Sequence, residues 1–308
     1  MKRLRLCYSL IVCLFIITVF PGNTVYADGT EGLGATAVTP GTGKAVFGVG
    51  LRGIPDGCTT GNINTNVSGS VEQVLLYWQG QHFEADLSDA DDMITVDGNN
   101  VAGSLIGGPT NFFGDVYVST FRADITGLGL ISSGADSIAI SNMDFGRRCN
   151  GASVFIVLDD GTDTADIQLR DGQDLAFLDF APTLNATVPQ TFNFAPSTSS
   201  RTAKVCFAAG GTSGDDRGST KTVTVNPSNT VNNELNPLGA NDGDDWDSLC
   251  DDVTIPANDN SLTAEIQSTD TNSGLPASFG LIVASLAIVP EEEMGDEGCT
   301  PGFWCNRG

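Results

Sequence analysis

The stretches Val116-Tyr117-Val118-Ser119 and Thr222-Val223-Thr224-Val225 place a valine at every second position. Alternation with period two is typical of β-strands, whose successive side chains point to opposite faces. Other apolar segments are equally short, and Gly, Asn, Asp, Ser and Pro separate them roughly every 8 to 15 residues. Helical periodicity is hard to find. The chain is therefore predicted to be all-β, built from antiparallel β-sandwiches of the jelly-roll type.

An internal repeat predicts two such sandwiches in tandem. Residues 74–80 (VLLYWQG) are matched by residues 204–210 (KVCFAAG), at an offset of 130 (204 − 74). Four further short matches follow in the same order and with slowly drifting offsets: 94–97 with 223–226, 123–126 with 251–254, 137–138 with 261–262, and 152–155 with 277–280. Loop insertions after a duplication produce such drift. The alternative is chance similarity among Thr- and Val-rich strands.

The first 27 residues have the layout of a secretory signal peptide. Lys2, Arg3 and Arg5 precede an uncharged apolar stretch at 7–20, and Val25-Tyr26-Ala27 offers small residues at a cleavage site before Asp28. The alternative, an uncleaved anchor, needs about 20 apolar residues to span a bilayer. We therefore expect a secreted or cell-surface-associated protein.

Four segments are predicted along the chain. Residues 1–27 are the signal peptide, 28–180 the first sandwich, 181–290 the second, and 291–308 a short acidic tail. The apolar run 279–289 is only about half as long as a membrane span. It is interpreted as the last, fully buried strand of the second sandwich, so no transmembrane segment is expected after cleavage of the leader.

The charge balance limits the partners of this protein. The chain has 14 Lys and Arg against 38 Asp and Glu, a net charge of −24. Nucleic acid and anionic membranes need a basic surface and are excluded as partners. An acidic, Lys-poor surface is typical of proteins that stay soluble in high salt. The competing interpretation is calcium binding, with candidate ligands at Asp159, Asp160, Asp163, Asp242, Asp244 and Asp245. These clusters make calcium the candidate cofactor.

Six cysteines follow the predicted leader: Cys58, Cys149, Cys206, Cys250, Cys299 and Cys305. An even number in an exported chain predicts disulfides. Two of them fall in each of the three segments that follow the leader. Pairing within each segment is the simplest of the 15 connectivities that six cysteines allow. Zinc is disfavoured because the chain has no CxxC motif and a single histidine.

Several motifs resemble a family of secreted prokaryotic surface proteins built from jelly-roll-like β-sandwiches. They are Leu76-Tyr77-Trp78-Gln79-Gly80, Val96-Asp97-Gly98, Phe121-Arg122-Ala123-Asp124-Ile125-Thr126, Ser141-Asn142-Met143-Asp144 and the GAS-apolar-DDG stretch at 151–161. The resemblance covers roughly residues 71 to 290 and its motifs are structural rather than catalytic. It implies an exported, envelope-associated or adhesin-like protein.

The tail resembles a CTPG-aromatic-Trp motif that ends or follows many exported prokaryotic proteins. Here it is Cys299-Thr300-Pro301-Gly302-Phe303-Trp304, followed by Cys305-Asn306-Arg307 where the usual form has Lys-Asn-His. Pro301-Gly302 suits a type II turn. Such a turn would let Cys299 and Cys305 close a small loop that presents Phe303 and Trp304, either docked on the body or binding a partner.

No catalytic arrangement is predicted. The chain has no GxSxG nucleophile turn, and its one histidine, His82, is interpreted as a surface-loop residue. We therefore expect a non-enzymatic structural or interaction protein of the adhesin type, with an extracellular matrix, glycan or protein partner. The alternative is a carbohydrate-binding or glycoside-hydrolysing module. Its ligand platform would comprise Trp78, His82, Phe303 and Trp304, with Trp78 and His82 in an exposed groove.

Overall fold

A computed structural model describes residues 31–177, 180–181, 184–212, 219–228, 233–234, 238, 241–270 and 278–290. Its regular structure in these residues consists of eighteen β-strands and a short 3-10 helix, Thr126–Leu128. The strands are β1 (Leu33–Thr36), β2 (Gly43–Gly50), β3 (Gly61–Val67), β4 (Ser70–His82), β5 (Met93–Val96), β6 (Asn99–Ala102), β7 (Ser104–Phe113), β8 (Val116–Asp124), β9 (Gly134–Ser141), β10 (Arg148–Asp159), β11 (Asp166–Ala176), β12 (Gln190–Asn193), β13 (Arg201–Gly210), β14 (Ser219–Pro227), β15 (Asn233–Glu234), β16 (Trp246–Ile255), β17 (Ser261–Asp270) and β18 (Phe279–Ile288).

Two jelly rolls follow one another along the chain. In the first, the sheet β2-β10-β4-β8 faces the sheet β3-β9-β5-β6; in the second, β11-β18-β13-β16 faces β12-β17-β14-β15. Neighbouring strands pair antiparallel throughout, and the strand order is the same in both once β7 is set aside. The prediction of tandem antiparallel jelly-roll sandwiches is confirmed.

The strand correspondence agrees with the internal repeat seen in the sequence. The five matched pairs overlap β4 and β13, β5 and β14, β8 and β16, β9 and β17, and β10 and β18, and these strands occupy equivalent places in the two jelly rolls. Equivalent strands in equivalent order are what a duplicated unit produces. By strand membership the first jelly roll spans 43–159 and the second 166–288. The predicted boundary near residue 180 does not coincide with this division, because β11 precedes it.

Two extra strands widen the sheets. β7 pairs with β8 at the edge of the first jelly roll, and β1 pairs with β11 at the edge of the second. β1 therefore lies before the first jelly roll in sequence but belongs to a sheet of the second. The two five-stranded sheets that result are called here the inner sheets.

The inner sheets pack against each other, which gives a four-layered molecule. We call their interface the seam; its buried apolar residues are Val46, Leu75, Tyr77, Phe155, Val157, Leu169, Cys206, Ala208, Trp246, Ile282 and Val283. β2 packs on β16, and β8 packs on β11. Since β2 corresponds to β11 and β8 corresponds to β16, the two contacts are related as by a two-fold axis.

Packing on both faces explains the nearly continuous apolar strands. All ten residues of β18 are buried, as are residues 149–157 of β10. A strand covered by layers on both sides loses the polar half of its alternation. The interpretation of 279–289 as a buried final strand is confirmed. No helix among the described residues has the length and apolar character that a bilayer crossing requires.

A chain of buried side-chain hydrogen bonds crosses the middle of the seam. Asn150 donates to Gln79 (2.7 Å), Gln79 donates to Thr120 (2.9 Å), and Thr120 donates to Gln173 of the other inner sheet (2.7 Å). Gly280 of β18 allows the Gln79 side chain to lie this close to the other inner sheet, since a Cβ at position 280 would be 2.9 Å from Nε2 of Gln79. The seam is therefore joined by polar as well as apolar contacts.

Trp246 of β16 anchors the seam beside this network. Its indole Nε1 donates to Oγ of Ser153 on β10 (2.6 Å). The ring lies over two glycines of the first jelly roll, and a Cβ at Gly48 or Gly151 would come within 2.6 or 2.7 Å of it. Both positions must stay without a side chain for the tryptophan to fit.

Two disulfides are present, Cys58–Cys149 in the first jelly roll and Cys206–Cys250 in the second. The predicted pairing within each unit is confirmed for these four cysteines. Disulfides are typical of proteins that fold in an oxidising, extracytoplasmic environment. The signal peptide, the acidic tail and Cys299 and Cys305 lie outside the described residues.

Candidate binding cleft at one end of the seam

A cleft with a volume of about 350 Å³ opens at the end of the seam where β4, β7, β11 and β13 finish and β10, β16 and β18 begin. Both jelly rolls contribute to it. Its lining residues are Gln81, Phe113, Arg147, Arg148, Phe177, Gly211, Asp245 and Ser278. Clefts between packed units are common places for ligand sites, because neither unit alone fills the space.

Arg148 is fixed at the cleft by ion pairs with both jelly rolls. Its guanidinium pairs with Asp56 of the first and, at 3.4 Å, with Asp245 of the second. Arg52 adds a second ion pair to Asp245 at 3.6 Å. The Cys58–Cys149 disulfide holds the loop that carries Arg52 and Asp56 against the start of β10. The disulfide therefore positions the charged end of the cleft.

Asp245 is the carboxylate that joins the two jelly rolls here. Its side chain is 2 % exposed, and its backbone is in the left-handed region with φ of 66°. Burial raises the pKa of Asp245, while Arg52 and Arg148 act in the opposite direction. Because both arginines face it, this carboxylate serves as a structural counter-ion.

An aromatic wall forms another side of the cleft. The Arg147 guanidinium lies over the ring of Phe113, 5.7 Å from its centroid. Phe177 is in edge contact with Phe180 (5.2 Å), which in turn contacts Phe112 (5.8 Å). Phenylalanines beside guanidinium groups offer a ligand both an apolar surface and hydrogen-bond donors.

Gln81 supplies a buried acceptor. The residue is 5 % exposed, and its backbone oxygen accepts from the N–H of Arg147 (3.1 Å). Among the described residues its side-chain Oε1 has no hydrogen-bond partner. A buried acceptor without a partner costs about 1–3 kcal/mol of stability. An unsatisfied group of this kind in a cleft is matched when a ligand brings a donor.

Toward the opposite end of the seam lies a larger groove of about 510 Å³, and two of its lining residues, Thr36 and Arg122, belong to a hydrogen-bonded cluster around Asp171. Asp171 of β11 accepts from Arg122 (2.6 Å), from the Tyr77 hydroxyl (2.8 Å) and from Thr36 (2.7 Å). Burial, followed by the Asp171 charge, raises the pKa of Tyr77 well above its usual value, so the hydroxyl keeps its proton. This cluster joins the inner sheets.

The predicted ligand platform at Trp78 is wrong. Trp78 is fully buried in the core of the first jelly roll, stacked on Phe121 with centroids 5.8 Å apart. Its Nε1 donates to the backbone oxygen of Asp91 (2.8 Å). Trp78 and Gln79 point to opposite faces of β4, and the tryptophan takes the face inside the sandwich. The other two platform residues, Phe303 and Trp304, lie outside the described residues.

His82 is not a surface-loop residue either; it ends β4 and is fully buried. Its two ring nitrogens lie 2.8 Å from Oγ of Ser119 and 2.8 Å from the backbone oxygen of Glu84. Burial lowers the pKa of His82, against the opposing effect of Asp89. Both ring nitrogens are engaged within the first jelly roll, which gives His82 a structural role there.

The calcium candidates make local contacts instead of converging. Asp159 and Asp160 accept hydrogen bonds from the backbone of Gly161 (2.8 Å) and Thr162 (3.0 Å). Asp242 accepts from the hydroxyl of Ser248. Asp163 and Asp244 are exposed, and Asp245 pairs with Arg52 and Arg148. Within the described residues no three His, Cys, Asp or Glu side chains are grouped to hold a metal ion. Calcium binding stays a prediction.

The sequence analysis missed the cleft residues. One signal was present: Arg147-Arg148 is the single pair of adjacent basic residues after the predicted leader, in a chain with a net charge of −24. No sequence pattern marks Gln81 or Phe177 as cleft residues, because their proximity depends on how the two jelly rolls pack.

Comparisons with known proteins identify no relative by sequence. No protein-family model matches the chain, and no curated protein matches it. Solved structures are matched over most of the chain, but at low similarity. An infectious bursal disease virus structure (Gx strain) is 11 % identical, with coverage of 89 % of this chain and 77 % of that chain and a TM-score of 0.30.

Two plant structures are matched at a comparable level. A complex of the plant peptide RALF23 with FER and LLG2 is 9 % identical, with coverage of 76 % and 82 % and a TM-score of 0.27. The ANX1 ectodomain from Arabidopsis thaliana is 9 % identical, with coverage of 84 % and 90 % and a TM-score of 0.26. Similarity at this level carries no argument about function. The resemblance to exported prokaryotic surface proteins stays a prediction.

Proposed function

We propose that this chain is an exported, non-enzymatic interaction protein of the adhesin type, which binds its partner in the cleft at the end of the seam. The composition of that cleft carries the proposal. Two arginines, an amide and two phenylalanines line it, and Asp245 is the one carboxylate among the described residues of its lining. Such groups hold a ligand but do not transfer protons at neutral pH.

The position of the cleft supports a binding role. Its walls belong to two units that are joined by ion pairs and the seam, and the Cys58–Cys149 disulfide holds the charged loop in place within the first unit, so the lining groups are positioned before any ligand arrives. A preorganised site loses little conformational entropy on binding. The disulfides fit a location outside the cytoplasm.

A carbohydrate-binding module is the second candidate. Glycoside hydrolysis would need two carboxyl groups about 5–9 Å apart across the bond to be cleaved. Asp245 is held by Arg52 and Arg148, and none of the other described residues that line the cleft carries a carboxylate. The aromatic wall at Phe113 and Phe177 favours sugar binding over sugar cleavage.

The test uses the purified chain with its disulfides oxidised. Binding is measured to immobilised acidic polysaccharide, neutral polysaccharide and extracellular matrix protein, and reducing ends are assayed in parallel. We expect saturable binding to at least one surface, weakened by Arg147→Gln. Arg170→Gln is the matched control, because Arg170 also lies over a phenylalanine, Phe192 at 5.3 Å, but away from the cleft. Release of reducing ends, or binding that ignores Arg147→Gln, would overturn the proposal.

A further inference from the structure

We infer that Lys44, in a cavity at the opposite end of the seam from the cleft, is a reactive amine that forms an imine with a small aldehyde. The cavity has a volume of about 210 Å³ and lies where β2 and β13 begin and β16 and β18 end. Its lining includes Lys44 of the first jelly roll and Lys204, Asp252 and Ala287 of the second. The site goes beyond the proposed function, because it shares no lining residue with the cleft.

Lys44 carries a buried amino group. Its side chain leaves β2 on the same face as Val46, which belongs to the seam, and the residue is only 3 % exposed. Within the part of the chain that the structure describes, Nζ of Lys44 has no hydrogen-bond partner. An ammonium group without a partner is costly to bury, whereas a neutral amine is much less so. The surroundings of Lys44 therefore favour the uncharged amine.

The two lysines of this cavity are in contrasting environments. Burial, followed by the charge of Lys204, lowers the pKa of Lys44 well below its usual value, against the opposing effect of Asp252. Lys204 is itself 44 % exposed and forms an ion pair with Asp252 at 2.9 Å. Desolvation and a neighbouring cation are the two conditions that turn a lysine into a nucleophile. Lys44 meets both of them.

The reaction needs no co-reactant. The lone pair of Nζ attacks the aldehyde carbon, and the carbonyl oxygen takes up a proton that the nitrogen gives up. The resulting carbinolamine loses its hydroxyl group and the second nitrogen proton as one molecule of water, which leaves a C=N double bond. No group is oxidised or reduced. Shielding of the amine from bulk water protects the imine from hydrolysis.

The size and lining of the cavity select a short aldehyde. Ligand pockets usually have volumes of about 300–1,000 Å³, so a cavity of about 210 Å³ suits a compound of only a few carbon atoms. Ala165, Ala287 and Val289 offer apolar contacts to such a carbon chain. On the polar side, Thr202 and Lys204 are hydrogen-bond donors for a hydroxyl group on the same chain.

The experiment traps the imine in the folded chain with cyanoborohydride, which reduces it to a stable amine, and locates adducts by peptide mass spectrometry. The probes at pH 7 are propanal and glycolaldehyde, with naphthaldehyde as a bulky comparison. With the two small aldehydes we expect an adduct on Lys44 that forms at least about ten times faster than on Lys204, since lowering a pKa by one gives about ten times more free amine. Naphthaldehyde should not show this preference.

Two variants of the same cavity serve as controls. Lys44→Met removes the adduct at this position. Lys204→Met retains the adduct on Lys44 but slows its formation at pH 7, because the charge that helps to lower the pKa of Lys44 is lost. A rate that rises with pH more steeply in Lys204→Met than in the wild type would separate this electrostatic role from a merely structural one. Circular dichroism checks the fold of each variant, and mapping of the wild-type chain does not depend on either of them.

The competing explanation is a protective role. β2 is at the edge of its sheet, and a lysine that points inward on an edge strand discourages pairing with other chains. That role needs no accessible amine. Labelling of Lys44 in urea but not in the folded chain would overturn the inference in favour of protection, and equal rates at Lys44 and Lys204 would overturn it as well. Either result leaves the proposed binding at the cleft standing, because the cavity lies at the other end of the seam.

Discussion

The two ends of the seam use the same chemistry for different purposes. At one end Arg122 and Asp171 form an ion pair that is completed by Tyr77 and Thr36, so each carboxylate oxygen of Asp171 has a donor. At the other end Arg148 and Asp245 pair beside an open cleft, in which Oε1 of Gln81 has no hydrogen-bond partner within the part of the chain that the structure describes. A satisfied network stabilises the packing of the inner sheets, whereas an unsatisfied one leaves binding energy for a ligand.

The largest expected effect is the loss of Asp171 at the satisfied end. Asp171→Ala leaves the Arg122 guanidinium and the Tyr77 hydroxyl without their acceptor, and should destabilise the protein by about 3–5 kcal/mol in urea unfolding. Asp252→Ala is the control, because its ion pair with Lys204 is exposed (63 % and 44 %) and contributes less than about 1 kcal/mol. Similar losses for both variants would contradict a structural role for this end.

A second buried carboxylate, three residues further along β11, has a different kind of partner. Asp174 is buried like Asp171 but accepts from the backbone N–H of Val188 (2.7 Å) instead of a cation. Burial raises the pKa of Asp174 to about 7. The folded state therefore holds this proton more tightly than the unfolded state, and the stabilisation is complete below about pH 4 and lost as pH rises through 7.

The measurement is the pH dependence of unfolding in the wild type and in Asp174→Asn. Relative to the variant, the free energy of unfolding of the wild type should fall by up to about 1.4 kcal/mol per pH unit between about pH 4 and 7. Asparagine keeps an oxygen for the Val188 N–H but does not titrate in this range. If the two pH profiles run parallel, Asp174 does not hold its proton in the folded state.

The smallest expected effects come from removing a single hydrogen-bonding group at each end of the seam. Tyr77→Phe removes a donor to Asp171 and should cost about 1.5–3 kcal/mol. Gln81→Met removes an acceptor that has no partner among the residues described, and should stabilise the unliganded protein by about 1 kcal/mol while weakening ligand binding. Chemical unfolding of both variants tests the pair. Destabilisation by Gln81→Met would mean that the glutamine is structural.

The sequence predicted the fold better than the site. Alternating valines indicated strands, matched segments such as 74–80 and 204–210 indicated a duplication, and both described disulfides join the cysteines expected. These properties are local or depend on order along the chain. Trp78 shows the limit: its aromatic side chain suggested an exposed platform, but its position on β4 directs it into the sandwich.

The sequence by itself determined an all-β chain with two related halves, a strand instead of a membrane anchor at 279–288, and a strongly acidic composition. Only the tertiary structure decided which face of each inner strand meets the other jelly roll. Period-two alternation distinguishes the two faces of a strand but not what covers them. The cleft unites Gln81, Arg147, Phe177 and Asp245 from four separate segments. Their proximity depends on long-range sheet packing, which no local pattern encodes.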